Sequence, residues 1–101
     1  FSACTGRPSA PTIPGRYQVK TKLPNAYASK WDLDMPYWLG IYDAGGSEIG
    51  FHALPILSSG AVLWRGALRT GCSYGCIVLD TPNAIALYNW ADIGTVVLVN
   101  P

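Results

Sequence analysis

Gly71-Cys72-Ser73-Tyr74-Gly75-Cys76 runs straight into Ile77-Val78-Leu79, and this junction constrains the chain more than any other stretch. Small, turn-prone residues give way to an apolar run of β type. The segment reads as a tight loop that delivers Cys76 to the mouth of a buried strand. Gly75 supplies the backbone freedom for the bend and lets a ligand come close. A cysteine held this way can act as a nucleophile when a base reaches it. The chain has one histidine, His52, in Ile49-Gly50-Phe51-His52-Ala53-Leu54-Pro55. No local geometry joins it to Cys76. Strand 48–52 and the start of strand 77–79 must therefore end at the same sheet edge.

The rest of the pattern is mainly β with one helix. With 101 residues, half of them hydrophobic and 13% charged, the chain suits a single domain, 1–101, with a real core. Residues 1–15 are punctuated by Gly and Pro and read as an extended loop. From Arg16 the pattern alternates, with Tyr17, Val19 and Thr21 on one side and Arg16, Gln18, Lys20 and Lys22 on the other. That predicts a half-buried strand over 16–22 with a solvated basic face. Residues 23–36 are turn-rich and read as a lid-like loop. Tyr37–Tyr42 and Glu48–His52 read as strands around a turn at Asp43–Ser47, and 56–60 as a loop. Trp64 is core or cleft wall. Ile77–Leu79 is a buried strand. Thr81 as cap and Pro82 at the first helical position open a helix over 81–90, with Ala84, Leu87, Tyr88 and Ala91 on its apolar face. Thr95–Val99 reads as a strand too apolar for an exposed edge.

Several classes are disfavoured. A net charge of +1 gives no electrostatic argument for nucleic acid or an acidic membrane. No apolar run reaches transmembrane length. There is no phosphate-cradling Gly loop and no basic stripe interleaved with aromatics.

Ser73-Tyr74-Gly75-Cys76 resembles the Ser/Thr-His-Gly-Cys signature of the L,D-transpeptidase catalytic domain family, bacterial enzymes that cross-link peptidoglycan. Phe51-His52-Ala53 is similar to the family's upstream histidine. Cys4-Thr5-Gly6-Arg7-Pro8, Thr12-Ile13-Pro14-Gly15-Arg16-Tyr17 and Met35-Pro36-Tyr37-Trp38 are similar to its Ser-Thr-Gly, Thr-Pro-Thr-Gly and Met-Pro-Tyr segments. The set is in order and covers nearly the whole chain. Two positions depart from it: Tyr74 stands where the family usually has His, and Val78 where Asn or Arg is common. The family's strands before the Ser-Thr-Gly segment are missing, so the chain reads as a catalytic domain cut from a longer secreted protein.

The resemblance implies a mixed β-sandwich with one short helix. It implies Cys76 as nucleophile and His52 as base, with Gly75, Tyr74 and Ser73 forming the oxyanion hole and pocket. Tyr37, Trp38 and Arg69 are the substrate-binding candidates. Arg65 and Arg69 are otherwise surface charges. The substrate implied is the peptidoglycan stem tetrapeptide, processed through a thioacyl enzyme to a 3→3 cross-link, without a cofactor. Carbapenems are the expected inhibitors. Capture by water instead gives L,D-carboxypeptidase activity. If Cys76 is the thiol, Cys4 and Cys72 remain to pair, in an extracytoplasmic compartment that permits the bond. Two rivals belong to other classes. One is a non-catalytic peptidoglycan-binding module, suggested by Tyr74. The other is a structural zinc site, since three cysteines and one histidine are the right ligand types.

Overall fold

The computed structural model describes residues 1–29, 31–64, 66, 68 and 70–100. Its strands are β1 (Ala3–Gly6), β2 (Gly15–Gln18), β3 (Thr21–Ala28), β4 (Leu33–Ala44), β5 (Ser47–Ala53), β6 (Ile56–Leu57), β7 (Gly71–Ser73), β8 (Ile77–Leu79) and β9 (Val96–Val99), with helix α1 (Thr81–Trp90) between the last two. The main sheet runs β3-β4-β5-β8-β1-β7, with β6 paired to β4. β2 and β9 form a separate ribbon. None of the described helices is long and apolar enough to cross a membrane.

Alternation along the strands divides the main sheet into two faces. On one face Leu39 and Ile41 of β4 pack with Val19, Leu87, Tyr88 and the inner residues of the ribbon, Tyr17, Val97 and Val99. Ala53 and Leu79 pack against Ala84 of α1 on that face. On the other face Cys4 and Val78 meet Leu54, Val62 and Trp64, which close over the sheet from the β5–β7 connection. Phe51 and Ile77 are paired in parallel, as are His52 and Val78. Each pair points to one face, the first toward the helix and the second away from it.

Several sequence expectations are corrected. The strand foreseen over 16–22 is two strands in two sheets. The chain crosses between them at Val19–Lys20, where Lys20 N–H donates to Gly40 O (2.8 Å) and Val19 N–H to Thr95 O (2.9 Å). The loop foreseen over 23–36 is a hairpin, paired from Thr21↔Gly40 to Ala28↔Leu33. Pro24 misled because it lies on an edge strand, where a missing N–H is tolerated. Ala3–Gly6, inside the foreseen N-terminal loop, is a strand. The helix has the foreseen bounds, but Asp80 rather than Thr81 is its N-cap residue, with no side-chain cap bond. β9 is covered on one side only, so Leu98 remains 66% exposed. Lys22 is more than a solvated charge: its Nζ donates to Ala91 O (2.7 Å) at the end of α1, where a cation opposes the helix dipole.

Candidate active site

β5 and the loop before β8 build the site. In the parallel register Phe51 lies beside Ile77 and His52 beside Val78, so Cys76 falls next to Gly50. With a period of two, Cys76 and His52 then share the face turned away from α1. Both line one cavity of about 810 Å³, together with Trp38, Glu48, Ser73 and Tyr74. The sheet thus joins the two residues that the sequence kept apart.

The loop is built to hold Cys76. Ser73, 1% exposed, donates its hydroxyl to Cys76 O (2.5 Å) and accepts Gly75 N–H (3.2 Å). Thr12 Oγ1 donates to Gly75 O (2.7 Å) and accepts Gly6 N–H (2.9 Å). Gly75 has φ +123°, and a Cβ there would stand 3.0 Å from Ile49 Cδ1. The φ alone calls for glycine, and the Ile49 methyl would have to give way to any side chain. A disulfide joins Cys4 in β1 to Cys72 in β7, their Cα atoms 5.7 Å apart, while Cys76 is free. The bond uses two of the four donors that a Cys3His zinc site would need, which removes that rival. Arg7 adds a second tie, with Nη2 donating to Cys72 O (2.6 Å) and Nε to Ser73 O (3.2 Å).

His52 is 2% exposed. Its Nδ1 lies 2.6 Å from Ala53 O. A carbonyl only accepts, so Nδ1 carries the proton and Nε2 is left as the basic nitrogen. Sequence could not name this partner because it is main chain. Burial pulls the His52 pKa down to about 4, partly offset by the Ala53 bond. Burial pushes the Cys76 thiol up, as does the Glu48 charge, while a hydrogen bond with the Gly50 backbone pulls it down. Burial thus favours an uncharged thiol and an uncharged imidazole at rest.

The His52 shift has a measurable consequence. Between its folded value of about 4 and its ordinary value of 6.5, the unfolded chain binds more protons than the folded one. The contribution is complete above pH 6.5, and about 3 kcal/mol of it is lost as pH falls through 4. Urea unfolding of wild type and His52→Asn at pH 7 and pH 4 isolates it: the wild type should lose more stability over that interval. Equal losses would contradict a buried neutral His52.

Not every expected site residue reaches the cavity. Tyr37 packs edge-on against Tyr88 of α1 (5.5 Å between centroids), because neighbours along a strand face opposite ways. Only Trp38 of that pair lines the cavity. Gly75 N–H is taken by Ser73 Oγ, so Gly75 is not the oxyanion donor foreseen, and Ser73 braces the loop. Trp64, on the β5–β7 connection, both packs against the core and lines the cavity. Arg65 and Arg69 lie outside the described residues. Sequence reasoning missed Arg7, Trp31 and Glu48. Arg7 lies over one face of Tyr74 (4.1 Å), and Trp31 from the β3–β4 turn stacks on the ring (5.3 Å). Tyr74 thus ties that turn to the cysteine loop, a contact between distant segments that no local pattern announces.

The sequence matches the family model of the L,D-transpeptidase catalytic domain (YkuD) over residues 1–99. No curated protein matches the chain. Among solved structures, it is similar to an L,D-transpeptidase from Mycobacterium tuberculosis H37Rv, with a TM-score of 0.81 and 29% identity over 100% of this chain and 42% of that one. It is also similar to L,D-transpeptidase 3 from Mycobacterium tuberculosis in complex with a faropenem-derived adduct, with a TM-score of 0.76 and 28% identity over 100% and 44%. An L,D-transpeptidase from Mycobacterium smegmatis has the same fold, with a TM-score of 0.80 and 21% identity over 100% and 48%. The chain spans less than half the length of each of these structures.

Proposed function

The chain belongs to the L,D-transpeptidase catalytic domain family, and from that premise we propose that it transfers acyl groups between peptidoglycan stem peptides through Cys76. The observation that carries this reading is the placement of His52 and Cys76 on one sheet face in one cavity. His52 Nε2 takes the thiol proton as sulfur attacks the carbonyl at the L-centre of the diamino acid in a tetrapeptide. The tetrahedral oxyanion is received by the backbone N–H groups of Cys76 and Tyr74. Each such donor is typically worth about 10²–10³ in rate. The imidazolium returns its proton to the departing terminal D-residue. An amine of a second stem then attacks the thioacyl carbonyl, giving a 3→3 cross-link and restoring the thiol. Water in place of the amine gives the L,D-carboxypeptidase outcome.

A resting neutral pair suits this order of events. Charge separates only when the substrate carbonyl is in place to use it. The Cys4–Cys72 disulfide supports an extracytoplasmic setting. The test is incubation with a purified disaccharide-tetrapeptide, followed by mass spectrometry of the products. The expected result is a dimer lacking one terminal D-residue. Release of that residue with monomer only would assign hydrolysis. Unchanged tetrapeptide, with a folded protein, would overturn the reading in favour of a binding module.

A further inference from the structure

Glu48 takes no part in the chemistry above, yet it stands inside the same cavity. Along β5, Glu48, Gly50 and His52 alternate onto one face. Trp38 comes to that face from β4. It is 3% exposed, and its indole lies against the His52 imidazole, with centroids 5.8 Å apart and planes 21° apart. The indole is itself held at its far end, where Nε1–H donates to Glu48 Oε1 (2.9 Å). The other carboxylate oxygen accepts Thr21 Oγ1–H (2.7 Å) and lies 3.6 Å from Lys20 Nζ. Gly40 makes the room for this: a Cβ there would stand 2.5 Å from the Glu48 carboxyl carbon. Tyr37, just before Trp38, holds φ +58°, an unfavourable conformation for a residue with a side chain. A strained backbone, a bare glycine and a doubly bonded carboxylate therefore converge on the placing of one indole.

We propose that Glu48 is a positioning residue: its carboxylate fixes Trp38 flat against His52 and so fixes the plane of the imidazole. Ala53 O sets the tautomer and Trp38 sets the plane. The inference rests on the reading of His52 as the base. Small misplacements of a base are costly, up to about 10²-fold for 1 Å. Glu48→Ala should therefore slow acylation by about 10-fold at unchanged KM. Glu48→Gln keeps an acceptor oxygen for the indole and should stay within about threefold of wild type. A merely structural glutamate would not give that rescue.

The direct readout needs no substrate. His52 is the chain's only histidine, so its ring protons are unambiguous in NMR spectra. Shielding by the stacked indole should move them upfield in wild type and Glu48→Gln, and the displacement should be lost in Glu48→Ala. If Glu48→Ala does not fold, Trp38→Phe serves, keeping a ring but losing the N–H. It should slow acylation and reduce the shielding while Glu48 remains. Ring-proton shifts unchanged in the folded variant used would overturn the proposal. So would a Glu48→Gln that has lost the shielding. Absence of acylation by wild type, with the shielding pattern as expected, would sink the functional reading and leave the positioning intact.

Discussion

Cys76→Ala is expected to lose all acylation by a carbapenem and all tetrapeptide processing, while remaining folded. The side chain is half-buried at the cavity, and removing one sulfur there leaves the backbone bonds of the loop in place. Those bonds run through Ser73 Oγ and Thr12 Oγ1 to main-chain atoms of Cys76 and Gly75. His52→Ala should fold and bind but acylate more slowly, by about the 10²–10⁴ that a general base typically contributes. The two variants should separate sharply if, as proposed, one has lost the nucleophile and the other keeps the thiol without its base. Stopped-flow acylation kinetics with circular dichroism as the folding check would read both. A His52→Ala rate within threefold of wild type would assign the proton to another group.

Removing the Cys4–Cys72 bond should be the largest stability effect of any conservative change. The bond closes a sequence separation of 68 residues, for which the chain-entropy relation gives about 4 kcal/mol, against measured values of about 2–4 for most disulfides. Both sulfur-bearing residues are packed. Cys4 is fully buried beside Val78 and Leu54, with Cys72 against the same cluster. Urea unfolding of the Cys4→Ala/Cys72→Ala double variant should therefore show a much lower midpoint. Activity in the double variant should fall less than stability, since Arg7 still ties the Cys72 and Ser73 carbonyls. A loss under 1 kcal/mol would mean that the bond adds little to the fold.

What could be read in the sequence was what is local. The loop-to-strand junction at Cys76 needs only Gly75 and three apolar residues, and both behave as foreseen. So do the bounds of α1, whose apolar spacing and Pro82 lie within one element, though its N-cap residue is Asp80 and not Thr81. The family's ordered motifs gave the fold class. What escaped was set by pairing between distant segments. The alternation over 16–22 is genuine, but it carries no mark of the change of sheet at Val19–Lys20. Pro24 looks like a loop residue until one knows that β3 is an edge. Tyr37 and Trp38 sit side by side in a motif, and only the pleat tells which of them faces the cavity. Glu48 looks like an ordinary polar residue at the start of a strand. Its role depends on Trp38 and Thr21 being brought to it by β4 and β3.

The measurement that bears most directly on the account is peptide mapping of the protein after reaction with a carbapenem, under non-reducing conditions. One adduct is expected, on the peptide carrying Cys76, with Cys4 and Cys72 recovered as a linked pair. No adduct is expected on folded Cys76→Ala. An adduct on that variant, or a disulfide involving Cys76 in active protein, would contradict the central claim and move the nucleophile elsewhere.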